Sequence, residues 1–259
     1  MDTPTTRAAR QMLNKVPEVT LYFWVIKIMA TTVGETAADF LNFNLHIGLT
    51  NTSILMGALL IAALAVQIRA RRYIPAVYWI AVVFLSVFGT LITDNLSDNF
   101  GVALTTTTTI FSIALIATFA GWYASEKTLS IHSIFTTRRE LFYWTAILFT
   151  FALGTAAGDL VAEGLQLGYL TSALIFAGLI AGVTAAHYWF RLNAIWAFWI
   201  AYVLTRPFGA SCGDLLSQTK ADGGLGLGTI GTSALFLIVI LALVSYLSIT
   251  KRDVIAATK

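Results

Sequence analysis

Four aspartates recur on one template. Asp39, Asp94, Asp159 and Asp214 each stand fifteen residues after a tryptophan (Trp24, Trp79, Trp144, Trp199) and five after a glycine (Gly34, Gly89, Gly154, Gly209). All three landmarks move together, by 55, 65 and 55 residues from copy to copy, so the chain is read first as four repeats of one unit. Carboxylate oxygens suit hard cations such as Mg²⁺, Mn²⁺ and Ca²⁺, the last of which takes about six to eight oxygen ligands. The four repeated aspartates are therefore the first candidates for metal ligands. Three more acids accompany them. Glu35 belongs to the first copy alone, in Gly34-Glu35-Thr36-Ala37-Ala38-Asp39, while Asp98 and Glu163 follow the aspartates of copies two and three by four residues. Copies one and four have Phe43 and Gln218 at that place. A spacing of four keeps each pair on one face if the helix continues.

Two bases lie in the same apolar stretches, Lys27 in copy one and Arg206 in copy four. A nearby ammonium or guanidinium holds clustered carboxylates ionised, so both are expected to act as internal counter-ions, Lys27 toward Glu35 or Asp39 and Arg206 toward Asp214. Lys27 and Glu35 are eight residues apart, about 12 Å along a helix, so a direct pair needs the lysine's full reach or another helix. Pro207 is expected to kink its helix and free carbonyls beside Asp214. Cys212, the one cysteine, allows no internal disulfide, and its place between Ser211 and Gly213 suggests small-residue packing. His46 and His187 have no His or Cys partner at zinc-site spacing. No nucleophile with a base, phosphate loop or dinucleotide fingerprint is found. The reading is of a protein that is not an enzyme and holds no tightly bound cofactor, with a divalent metal as cargo.

The elements that carry these residues follow from composition. With 58% hydrophobic and 11% charged residues, the chain departs from the roughly 25% charged content of soluble proteins. A hydrocarbon layer needs about 20 apolar residues per helix, and eight such stretches occur near 18–40, 50–68, 75–97, 103–123, 141–162, 169–190, 194–216 and 226–249. The expectation is a single all-α membrane domain over 1–259, of eight transmembrane helices in four parallel two-helix repeats (about 17–73, 74–138, 139–192 and 193–250). The basic segment with Arg7, Arg10 and Lys15 lacks a small-x-small cleavage site after its apolar span and is not read as a signal peptide. The loops that would lie with the termini hold thirteen of the sixteen basic residues and the opposite loops only Lys220, which places both termini in the cytoplasm. The net charge of +3 is spread over these loops, without the basic patch of a nucleic-acid binder. The partners expected are the bilayer and a cation, and a homo-oligomer is compatible with the sequence.

Aromatic residues opening the odd helices (Tyr22-Phe23-Trp24, Tyr78-Trp79, Tyr143-Trp144, Phe198-Trp199) read as an interfacial belt. The repeated glycines read as points of close helix approach. Hydroxyl-rich runs opening the even helices, such as the five threonines 105–109, read as amide caps. The 55-65-55 spacing suggests two paired halves, with the four aspartates converging on one axis.

The stretches K-I-M-A-T-T-V-G-E-T-A-A-D, G-T-A-A-G-D and T-R-P-x-G-A-S-x-G-D resemble the bacterial family described as uncharacterised membrane-anchored proteins, over essentially the whole chain. The resemblance implies a multi-pass protein of the bacterial inner membrane and names no substrate. A looser similarity links the acidic motifs to cation exporters with Glu-x-Gly-Asp motifs, although the spacing differs. The function expected is transport of cations, manganese among them, along a path formed by Glu35, Asp39, Asp94, Asp98, Asp159, Glu163 and Asp214. The alternatives are a non-transporting scaffold or sensor with structural acids, and a transporter of an organic cation.

Overall fold

The structure, a computed structural model, describes residues 14–254; Arg7, Arg10 and Lys259 of the basic loops lie outside them. Among the described residues there are eight α-helices and no strand: α1 Leu21–Asp39, α2 Leu49–Arg69, α3 Pro75–Asp94, α4 Leu104–Glu126, α5 Thr137–Asp159, α6 Tyr169–Phe190, α7 Ala194–Ser217 and α8 Gly228–Thr250. Local chemistry sets their starts. The Thr20 and Thr136 hydroxyls accept from the amides of Phe23 and Arg139, Asn193 accepts from Ile195, and Pro75 opens α3 where its missing N–H costs nothing. Six of the eight are long and apolar enough to cross a membrane. The other two, α1 and α7, carry Lys27, Glu35 and Asp39, and Arg206 and Asp214.

The odd helices close a ring: α1 packs on α3, α3 on α5, α5 on α7, and α7 back on α1. Each even helix lies against the odd helix of the following unit, α2 on α3, α4 on α5, α6 on α7, and α8 on α1. The repeated glycines explain the closeness of the ring. A methyl group on Gly34 would overlap Ser86, on Gly89 the Cβ of Phe151, on Gly154 the stem of Arg206, and on Gly209 the side chain of Thr31. Every one of these targets stands seven residues after its own Trp. Each repeat therefore fits the next by one and the same contact, and the fourth fits the first.

This cyclic order replaces the two paired halves suggested by the spacing. The extra residues between copies two and three fall mainly in a linker, 127–136, against 70–74 and 191–193 at the corresponding joins, and the rest lengthen the end of α4 and the start of α5. That linker buries Leu129, Ile131 and Ile134, and the Leu129 carbonyl accepts from the Trp199 indole at 2.9 Å. It is an insertion that leaves the ring intact.

The even helices form an outer shell whose exposed side chains are large and apolar, including Ile54 and Ile61 of α2, Ile113 and Ile116 of α4, Leu170 and Leu174 of α6, and Ile238 and Leu241 of α8. So much apolar surface suits lipid rather than water. Their hydroxyl runs do not cap the helices, whose N-cap positions are Gly48, Ala103, Gly168 and Leu227, none with a side-chain cap bond. Once a helix is under way a hydroxyl can reach back to a carbonyl four residues earlier, as Ser53, Thr107 and Thr109 do. Others reach across to the ring, where Ser172 meets Ser211 and Ser233 meets Thr36, each at 2.7 Å.

Most of the aromatic residues read as an interfacial belt face neighbouring helices instead, while Tyr22, Trp24 and Phe198 stay partly exposed. Phe23, Tyr78, Trp79, Tyr143, Trp144, Trp199 and Tyr202 are buried inside the ring. The Tyr78 and Tyr143 hydroxyls meet at 2.5 Å, and edge-to-face pairs such as Tyr143 with Trp199, centroids 6.2 Å apart, join neighbouring repeats. An aromatic at a helix end reads the same in sequence whether it faces lipid or a neighbouring helix.

Residues 14–18 run as a strap across this aromatic end. Lys15 gives its ammonium to Glu140 at 2.7 Å and to the Ile68 carbonyl at 2.8 Å, and Gln67 donates to the second Glu140 oxygen at 3.3 Å. The backbone of Glu18 is held by that of Asp253, whose carboxylate accepts from the Tyr73 hydroxyl at 2.6 Å. Burial raises the Asp253 carboxyl above the ordinary aspartate range, outweighing the Tyr73 hydrogen bond that favours its ionised form. A raised folded-state value means that this stability is fully present below about pH 3.9, the unfolded value, and is lost as the pH rises through the folded value. Asp253→Asn is therefore expected to flatten the fall in melting temperature over that window; equal slopes in variant and parent would refute this.

Candidate functional site

At the end of the ring opposite the aromatic residues, the aspartates mark a change in backbone geometry. Asp39, Asp94 and Asp159 each close an α-helix and lead into a π-helical turn, Phe40–Asn44, Asn95–Asn99 and Leu160–Gly164. The helix continues past the aspartates as a wider turn, a local form often met at functional sites. In the fourth copy α7 stays α-helical to Ser217, and a longer loop follows.

These ends surround one cavity of about 820 Å³. Glu35, Asp39, Asp94, Asp98, Asp159, Glu163 and Asp214 all line it, together with Asn42, Asn44, Ser97, Tyr169, Gln218 and Thr229. The carboxylates do not contribute equally. Glu35, Asp159 and Asp214 place one oxygen each within 4.8 Å of one another, close enough to share a metal ion. Of the four repeated aspartates, Asp159 and Asp214 belong to that trio, with Glu35 as its third member; Asp39 and Asp94 line the same cavity outside it. Glu35 stands one helical turn before Asp39 on α1, and the Gln218 amide donates to Asp39 at 3.5 Å. At the mouth, Asp98 accepts from Ser97 at 2.8 Å and Glu163 from the Tyr169 hydroxyl at 3.0 Å. Cys212 is half-buried and is not one of the trio.

Arg206 is fully buried and lies behind the cavity wall, against Glu35. It pairs with Glu35 at 3.1 Å instead of Asp214, which stands eight residues further along its own helix. The guanidinium also donates to Thr155 at 2.7 Å, to Thr90, and to the Thr31 carbonyl at 3.4 Å. Lys27 takes another place than expected. Among the described residues it has no carboxylate partner, because Glu35 is two turns away on the same helix. Its ammonium is given to the Tyr202 carbonyl at 2.7 Å and to the Thr205 hydroxyl, and it lies over the Tyr202 ring, 4.4 Å from the centroid. Phe151 has both cations near its ring, Lys27 at 5.6 Å and Arg206 at 5.9 Å. Pro207 does not break α7, which runs unbroken from Ala194 to Ser217. The ring packing holds it, and α7 carbonyls accept from α1, Thr205 from Thr31 at 3.4 Å and Gly209 from Thr32 at 3.1 Å.

Thr90 and Thr155, which accept from Arg206, were not singled out by motif. A signal for them exists: counted from each Trp, Glu35, Thr90, Thr155 and Ala210 occupy the same place, eleven residues on.

A helical bundle with a lipid-suited exterior, built from four repeats around a carboxylate-lined cavity, defines a membrane-type repeat protein. The chain belongs to the family described as "Repeat of Unknown Function (DUF347)", whose model matches residues 22–73, 77–128, 142–193 and 197–253. Each match opens two residues before one of the four landmark tryptophans. No curated protein and no solved structure matches the chain.

Proposed function

We propose that the protein is an integral membrane transporter of small cations, with a divalent metal such as Mn²⁺ as cargo. The observation that carries this reading is the group formed by Glu35, Asp159 and Asp214, whose oxygens approach within 4.8 Å in a cavity lined by seven carboxylates. Carboxylates in apolar surroundings are costly unless they face a wet cavity or a cation, and hard divalent ions take such oxygen ligands. In this reading all eight helices cross the bilayer, in four two-helix units of one orientation, and both termini are cytoplasmic, in the inner membrane of a bacterium. The carboxylate cavity then opens outward, and the aromatic layer with its strap closes the cytoplasmic side.

Mn²⁺ uptake into proteoliposomes, followed with an internal metal-sensitive dye, tests the function. Saturable flux that other divalent ions compete for is expected, and flux equal to that of protein-free vesicles overturns it. Competition by organic amines stronger than that by metals would move the cargo to an organic cation. A second reading, a sensor that binds a cation without passing it, is favoured by Arg206, Phe151 and Lys27, which are fully buried between the cavity and the aromatic end. Metal binding without flux would establish it.

The orientation makes its own prediction. In a Cys212→Ser background, His46→Cys and Asp222→Cys are expected to react with an impermeant maleimide added to intact cells, and Arg71→Cys and Arg138→Cys only after lysis. The opposite pattern would invert the topology.

A further inference from the structure

The layer of side chains around Arg206 breaks the fourfold repeat in one informative way. At the position eleven residues after each Trp, three copies present oxygen-bearing side chains, Glu35, Thr90 and Thr155, and the fourth presents Ala210. The fourth copy instead sends Arg206 into that layer from the position seven residues after its Trp, where the other copies have Thr31, Ser86 and Phe151. Its stem crosses the notch left by Gly154, where a Cβ would collide with it. The terminal nitrogen then reaches Glu35 at 3.1 Å, Thr155 at 2.7 Å, and Thr90. One side chain from copy four thus engages all three of its counterparts, and Ala210, fully buried, offers no side-chain oxygen of its own at that position. The guanidinium Nε is also buried without a hydrogen-bond partner among the described residues.

We propose that Arg206 is a tethered cation that competes with the transported ion for Glu35 and so determines which ions the site accepts. This rests on the cation-site reading of the cavity. Glu35 is shared: it belongs to the trio with Asp159 and Asp214 and it holds Arg206. With its carboxylates ionised, the trio together with Arg206 carries two net negative charges, the complement of one divalent ion. A monovalent ion offers Glu35 no more charge than the guanidinium already does, whereas a divalent ion offers twice as much. When Glu35 turns to the metal, Arg206 keeps neutral acceptors in Thr90, Thr155 and the Thr31 carbonyl, so it needs no new site. Lys27, whose ammonium also lies over the Phe151 ring, opposes any deeper retreat by like charge.

The test is Mn²⁺ binding by calorimetry to detergent-purified wild type, Arg206→Met, Arg206→Lys, Glu35→Gln and the Glu35→Gln/Arg206→Met pair, each shown to be monodisperse, with and without excess Na⁺. Removing the competitor is expected to tighten Mn²⁺ binding about tenfold or more and to let Na⁺ weaken it, and the gain is expected to vanish in the Glu35→Gln background, as a coupled pair requires. Lysine keeps the positive charge but lacks the second terminal nitrogen, which reaches the Thr31 carbonyl, so Arg206→Lys is expected to shift affinity in the same direction by less, and it serves where the methionine variant does not fold. Mn²⁺ affinity within twofold of wild type in the folded Arg206 variants, or the same gain with and without Glu35, overturns the proposal. Absence of saturable Mn²⁺ binding in wild type is a different result, which overturns the transport reading beneath it.

Discussion

Gly89→Leu will leave no monodisperse protein, whereas Gly178→Leu and Gly182→Leu will purify and melt like the parent. The first Cβ atom alone decides the outcome at Gly89, because it would lie 2.6 Å from the Phe151 Cβ and 3.2 Å from the Ala152 nitrogen. Those are atoms of the α5 backbone or next to it, so no rotamer change relieves the contact, and α3 must move off α5. Overpacking a tight core costs about 3 kcal/mol at the upper end of the usual range. A leucine adds three more carbons at an interface that the ring cannot widen without opening its other three joins. Gly178 and Gly182 are also in a helix, on α6, yet a Cβ on either meets nothing within 4 Å. Size-exclusion traces and melting temperatures in detergent check the contrast. Similar behaviour of all three variants would mean that the glycine contacts do not hold the ring.

The second large effect concerns the trio. Asp159→Asn and Asp214→Asn are each expected to weaken Mn²⁺ binding about a hundredfold, since ligand charge count moves such sites over several orders of magnitude. Asp98→Asn, at the mouth, is expected to change it less than threefold. Stability should move the other way. Without metal, three carboxylates within 4.8 Å repel one another, so each amide variant is expected to melt above the parent in chelator. Added Mn²⁺ stabilises in proportion to the logarithm of its excess over Kd, so the parent should overtake the variants as metal is added. Curves that never cross would count against a metal shared by the three, and so would equal losses at Asp98 and Asp214.

The repeat, the helices and the acids that share the cavity were legible because each rests on regular spacing along one chain. What the spacing could not provide was the neighbour. Lys27 and Glu35 lie on one helix, and a reading confined to that helix looks for their partners along it, whereas the actual partners, Tyr202, Thr205 and Arg206, come from α7 across the ring. Most of the aromatic residues failed as a belt for the same reason: the side of a helix that faces its neighbours depends on the order in which the repeats are joined. That order is written most clearly in the glycines, each of which pairs with a differently chosen residue, and those residues share no type. Thr90 and Thr155 were missed because threonine in an apolar helix is common, and they stand out only when the four copies are aligned and Glu35 is found at the same place.

Closure by one repeated contact has a consequence for how the protein can diversify. A linear stack of repeats has two ends, each of which needs a specialised capping unit. In the ring every unit is interior, and α8 covers α1 as α2 covers α3, so no copy is set aside as a cap. The contact is also lopsided. On one side it demands a missing Cβ, a requirement met identically by Gly34, Gly89, Gly154 and Gly209; on the other it accepts serine, phenylalanine, arginine or threonine. Four sockets are thus held constant while the four plugs packed against them differ in type. Chemistry could be installed one plug at a time without disturbing the join that holds the assembly together, and Arg206 occupies one of those four positions.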